Sequence, residues 1–98
     1  MQPKPLRLLG LAKRAGKLAC GSDAVKVAAE RSRLIVLAND AGQNVRREAE
    51  RYEKQVVELP YNKEELGHAV GRASCAIAAV ADKEFGLGIL EALNMEES

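Results

Sequence analysis

His68 is the chain's single histidine, and an imidazole is the side chain best suited to move a proton at neutral pH. It lies within Leu66-Gly67-His68-Ala69-Val70 with no nucleophile beside it in sequence, so a surface or hydrogen-bonded helix histidine is a simpler expectation than a general base. Asp40 and Asp82 each follow an apolar run, a position where α/β enzymes often keep acidic groups. Each also precedes a helical stretch, and a carboxylate there accepts from an unpaired first-turn N–H. Both are therefore expected to cap the helix that follows. Gly86-Leu87-Gly88 lacks the third glycine of a dinucleotide loop and is surrounded by helix-forming residues. Cys20 and Cys75 have no CxxC partner and no histidine beside them, which points to small buried thiols in a reducing compartment rather than a disulfide or a metal site. No catalytic group, metal site or cofactor is expected.

A basic run carries the stronger signal. Lys13-Arg14-Ala15-Gly16-Lys17-Leu18-Ala19-Cys20-Gly21-Ser22-Asp23 joins a basic helix end to a helix start led by glycine. Unpaired N–H groups at such a start attract anions, and Lys13, Arg14 and Lys17 supply cations. Overall net charge is only +1. Residues 1–33, however, hold eight basic and two acidic residues, a net +6, and the rest hold seven and twelve, a net −5. A polyanion would meet the first third of the chain, provided that Lys13, Arg14, Lys17 and Lys26 share a face. Aromatics narrow the ligand. With two tyrosines, one phenylalanine and no tryptophan, the chain has few of the exposed platforms on which single strands stack. A folded RNA read through shape and phosphates suits it better.

The elements that must position these residues follow from periodicity. A helix from Pro5 to Ala15 is expected to turn Leu8, Leu11, Ala12 and Ala15 inward, with Pro5 in its first turn and Gly16 at its end. Leu18–Cys20 reads as a short strand, and Ser22 as the N-cap of a helix that buries Val25, Ala28 and Ala29. Leu34 to Ala38 is a continuous apolar run, the pattern of a strand covered on both faces. Asn39-Asp40-Ala41-Gly42 is turn chemistry, and Val45, Ala49 and Tyr52 mark a third helix. A strand over Val56–Leu59 ends at Pro60. Asn62 caps a helix through Val70, followed by Gly71, then a strand over Cys75–Ala81 and a last helix from Asp82 to Leu93. Strands alternating with helices imply one domain over residues 1–98, a three-layer α/β/α sandwich around a four-stranded mixed sheet. With 47% apolar and 30% charged residues the composition is globular. No apolar run approaches the ~20 residues of a membrane span. Charges at Arg7, Lys13 and Arg14 argue against a leader peptide, so the cytoplasm is the expected location, with ribosome association open.

Three segments carry a family resemblance: Gly21-Ser22-Asp23-Ala24-Val25-Lys26-Val27-Ala28-Ala29-Glu30-Arg31-Ser32, Leu34 to Ala41, and Glu64 to Gly71. Together with Leu9 to Lys17, they resemble the kink-turn-binding ribosomal protein family of the L-seven-Ae type. They are most similar to its short bacterial, ribosomal-protein-like members, over roughly residues 6 to 93. The resemblance implies the same sandwich and a grip on a sharply bent RNA loop with sheared G·A pairs, in a ribosomal or another structured RNA. It places that grip on a Gly-x-Asn-Glu-x-x-Lys helix start, here Gly21, Asp23, Ala24 and Val27, with Lys26 one position early. A second contact falls on the loop from Gly71 to Cys75. Phosphates would meet Lys13, Arg14, Lys17, Gly21 and Ser22, bases would meet Asp23 and Lys26, and Ala73, Ser74 and Cys75 would pack on a turned-out nucleotide. A protein-interaction module using the acidic C-terminal portion, or a small enzyme around His68 and Asp82, is the alternative on the same fold.

Overall fold

In a computed structural model, residues 2–97 are described. Helix α1 (Lys4–Arg14) leads through a tight turn into β1 (Leu18–Cys20), followed by α2 (Ser22–Ala28), a 3₁₀ turn (Ala29–Arg31) and β2 (Leu34–Leu37). Next come α3 (Gln43–Arg51), β3 (Gln55–Glu58), α4 (Lys63–Ala69), β4 (Ile77–Val80) and α5 (Lys83–Glu97). The four strands form one mixed sheet in the order β1-β4-β2-β3. β4 runs antiparallel to both neighbours, while β3 lies parallel to β2 through the α3 crossover. The mixed α/β/α sandwich implied by the alternation of elements is the observed architecture.

Period-two alternation along the buried strands divides the core. Leu34, Val36 and Ala38 of the β2 segment, with Ala78 and Val80 of β4, pack among Leu6, Leu9, Leu66 and Ile89 from α1, α4 and α5. Ile35, Leu37, Ile77 and Ala79 face the other way, against Val25 and Ala49 from α2 and α3. Burial on both faces explains why these strands read as unbroken apolar runs. Among the described residues, no helix is long and apolar enough to cross a membrane.

Two expectations are corrected by these packings. The buried stripe of α1 is Pro5, Leu6, Leu9 and Ala12; Leu11 is 47% exposed and Ala15 is exposed. Apolar residues occur around more than one face of this helix, and packing against α4 and α5 chose among them. Asp40 caps a different helix from the one expected. Its Oδ1 accepts from the Lys63 N–H at 2.9 Å, at the start of α4, while the residue before α3 is Gly42 with no side-chain cap. Arg46 holds the intervening turn by donating to the carbonyls of Ala41 and Asn39. Asn62 forms the expected cap on α4, as half of a reciprocal capping box with Glu65. Asp82 accepts from the Glu84 N–H at 3.1 Å, as a cap on α5 should.

Candidate RNA interface

The basic run folds around β1, which lies at the sheet edge. Lys13 and Arg14 occupy the last turn of α1, where cations complement the helix dipole, and both are exposed. The Lys17 N–H donates to the Ala12 carbonyl at 2.8 Å, and the Lys17 carbonyl accepts from Ala81, which ties the turn to the sheet. Four residues of extended chain put the Lys17 and Gly21 backbones about 13 Å apart, at opposite ends of the strand. Lys26 projects from the opposite helical layer, where it lines a concavity with Asp23, Glu48 and Arg51. Lys13, Arg14 and Lys17 therefore lie on the α1 side of the β1 edge while Lys26 faces α3 in the other layer, so the four do not share one face as required above.

Gly21 is the pivot of this edge. Its N–H completes the sheet ladder on the Ile77 carbonyl at 2.9 Å, and its carbonyl accepts the first bond of α2 from Val25 at 2.9 Å. Serving both within one residue takes φ +89° and ψ 157°, a region nearly exclusive to glycine. Gly21, rather than Ser22, is the N-cap residue, and no side chain caps α2; Ser22 is instead its first helical residue and is exposed. The backbone itself therefore requires glycine here, whatever ligand approaches it.

The loop after α4 meets Gly21 from the other side. Gly71 ends the helix at φ +79°, and the Arg72 N–H returns to the Gly67 carbonyl at 2.7 Å. The Arg72 guanidinium then crosses to β1. Its Nη1 donates to the Cys20 carbonyl at 3.1 Å, and its Nη2 lies 3.3 Å from where a Cβ on Gly21 would stand. Reasoning from sequence missed Arg72. Its one signal was a cation directly after a helix-ending glycine, in the loop singled out by the resemblance.

Ala73 and Ser74 of that loop are exposed. Cys75 is only 3% exposed, and its thiol reaches the Ile77 carbonyl at 3.3 Å, inside the core. This corrects its place among the contact residues, since its side chain is not on the surface. The thiol of Cys75 also neighbours that of Cys20, and hydrogen bonding between the two thiols is the main influence lowering the Cys20 pKa to about 7. Burial opposes that shift, while the charges of Lys13 and Arg72 assist it. Cys75 is pushed upward by the same contact and by burial. Both cysteines are buried free thiols.

The helix-start positions are open to solvent. Asp23, Ala24 and Lys26 are exposed, and Val27 is 77% exposed, so a long polar side chain fits at position 27 without repacking. His68 is exposed on α4, between a groove shared with α1 and a concavity that holds Lys63, Glu64, Glu65 and Arg72. Among the described residues no three His, Cys, Asp or Glu side chains are grouped to hold a metal.

No protein-family model matches the chain. It is 31% identical to the RNA-binding protein YlxQ of Bacillus subtilis (strain 168) over 93 residues, covering 89% of this chain and 92% of that protein. The chain belongs to the YlxQ family. Among solved structures, a Bacillus halodurans protein of unknown function superposes with a TM-score of 0.79 at 28% identity, over 95% of this chain and 99% of the other. The Giardia lamblia 15.5kD RNA binding protein superposes with a TM-score of 0.68 over 96% and 85% of the two chains. At 17% identity, that likeness concerns the fold.

Proposed function

We propose that this protein binds structured RNA at the β1 edge and catalyses no reaction. The observation that carries the reading is the meeting of Gly21 and Arg72. Two segments singled out separately in the sequence converge, and a guanidinium lies against a residue with no side chain to screen it. A guanidinium is suited to the paired oxygens of a phosphate or to a guanine edge. Lys13, Arg14 and Lys17 lie along the α1 side of the same sheet edge and supply charge that does not depend on base sequence. The relative's name, RNA-binding protein YlxQ, supports the same ligand class.

The finer ligand we propose is a bent RNA of the kink-turn or ribosomal type, held with low selectivity. The kink-turn-binding family that the chain resembles has Asn, Glu and Lys at its helix start, where this chain has Asp23, Ala24 and Val27. Ala24 cannot accept from a guanine edge, and Asp23 lacks an amide donor and adds a negative charge. Phosphate attraction survives these changes, so binding persists while discrimination falls. Titration of the protein with a kink-turn RNA and with a matched duplex lacking the G·A pairs tests both levels. Binding to both with a small preference supports the proposal. Absence of binding to any RNA at low salt refutes it.

A further inference from the structure

We propose that the groove between α1 and α4 extends the RNA-contact surface beyond Lys13 and Arg14, seating the sugar–phosphate strand that runs on from the RNA held at Gly21 and Arg72. This rests on the RNA-binding reading above. The groove encloses about 520 Å³ and brings together Arg7, Lys13, Arg14 and His68 with no carboxylate among its lining residues. Arg7, Leu11 and Arg14 stand at i, i+4 and i+7, so α1 presents two guanidinium groups on one face, spread over about 10 Å of helix. That span holds more than one backbone phosphate. Leu11 lies between them, 47% exposed despite its apolar side chain. It offers a contact for a ribose while the cations take the phosphates.

Further observations bear on what the groove can seat. The floor is shallow because α1 crosses α4 at Gly10, where a Cβ would stand 2.8 Å from the Ala69 carbonyl. Carbonyls at the end of α4 would repel a phosphate; those of Leu66, Gly67 and His68 accept from Val70, Arg72 and Gly71, while that of Ala69 lies against Gly10 of α1. Glu64 and Glu65 line the neighbouring concavity rather than this groove. Continuity with the first site is direct: Gly71 lines the groove, and the next residue is Arg72, at Gly21. Arg72 itself lines the neighbouring concavity with Glu64 and Glu65, so the strand reaches Arg7, Lys13 and Arg14 across His68, which lines both.

The test compares two RNAs on the full chain, one confined to the bent loop and one extended by a further helical turn on a single side. Arg7 is exposed on α1 and takes no part in the Gly21 site, so Arg7→Glu should leave the thermal midpoint and affinity for the short RNA unchanged. For the extended RNA it should lower affinity about fivefold and reduce the salt slope by about one, while Arg7→Lys retains binding. Equal affinity of the native protein for both RNAs, or an unaltered extended complex with Arg7→Glu, overturns the groove while leaving the first site standing. Native protein that binds neither RNA overturns both. Stronger displacement of the extended RNA by polyglutamate than by the short RNA would assign the groove to an acidic protein and overturn it as an RNA site.

Discussion

Replacing Gly21 with alanine separates what the backbone demands from what a ligand demands. At φ +89° and ψ 157° an L-residue is strained whatever space surrounds it, at a cost of order 1–3 kcal/mol. The added Cβ would also stand 3.3 Å from Arg72 Nη2. That neighbour is the end of a flexible side chain and can move aside, but moving it weakens the 3.1 Å bond to the Cys20 carbonyl. A charge-assisted bond of this kind, part-buried and one of the ties between β1 and the loop after α4, adds up to about 1 kcal/mol. The expected loss is therefore about 1–4 kcal/mol, or a fall in thermal midpoint of roughly 5–30 °C for a domain of this size. Gly16→Ala is the matched control, because its φ of +72° carries backbone strain with nothing within 4 Å of the new Cβ. Circular dichroism melts of Gly21→Ala, Arg72→Ala and the double variant measure the coupling. The double variant should lose less than the sum of the two single changes. RNA affinity should fall for Gly21→Ala under conditions where both it and Gly16→Ala remain folded, and hold for Gly16→Ala. A stability loss below about 0.5 kcal/mol, smaller than any strain of this kind, would refute the conformational reasoning. Equal RNA affinity in the two folded variants would refute the place given to Gly21 in the site.

Lys17→Ala should reduce the salt dependence of RNA binding by about one in slope, read from titrations over a range of salt; an unchanged slope removes Lys17 from the interface. The combined change Asp23→Asn, Ala24→Glu and Val27→Lys should raise the preference for a kink-turn over the matched duplex, with each restored base-edge pair worth ~1–3 kcal/mol of discrimination. Competition binding measures this, and strong selectivity already present in the native protein would contradict it. Asp40→Ala should cost about 1 kcal/mol in chemical denaturation, through loss of the cap on α4; no loss would mean that water replaces the carboxylate. Cys20 has a folded pKa of about 7 against an ordinary 9.0. The unfolded chain therefore binds more protons across that window, and stability should rise from pH 7 to 9. Cys20→Ser should flatten the rise, and a native profile that is already flat would contradict the shift.

The split of the core between Leu34, Val36 and Ala38 on one face and Ile35 and Leu37 on the other was legible in the sequence. An apolar run of strand length has only one way to bury every residue, between two helical layers. Asn62 was legible for the same kind of local reason, since a capping box closes within four residues. Gly21 was legible as a special position, though its strained φ emerged only when the sheet ladder and the first turn of α2 both claimed it. Contacts between distant segments were not legible. Asp40 precedes α3 yet caps α4, 23 residues on, and Arg72 reaches the Cys20 carbonyl from 52 residues away. The buried stripe of α1 was misread because its apolar residues fit more than one face, and only α4 and α5 select one. Local chemistry thus determined the elements and marked the helix start and the basic run. Which cations stand near Gly21, and that Cys75 turns inward while Ala73 and Ser74 stay exposed, was decided by how the two helical layers close around the β1 edge. Such positions depend on packing between segments that no sequence spacing encodes.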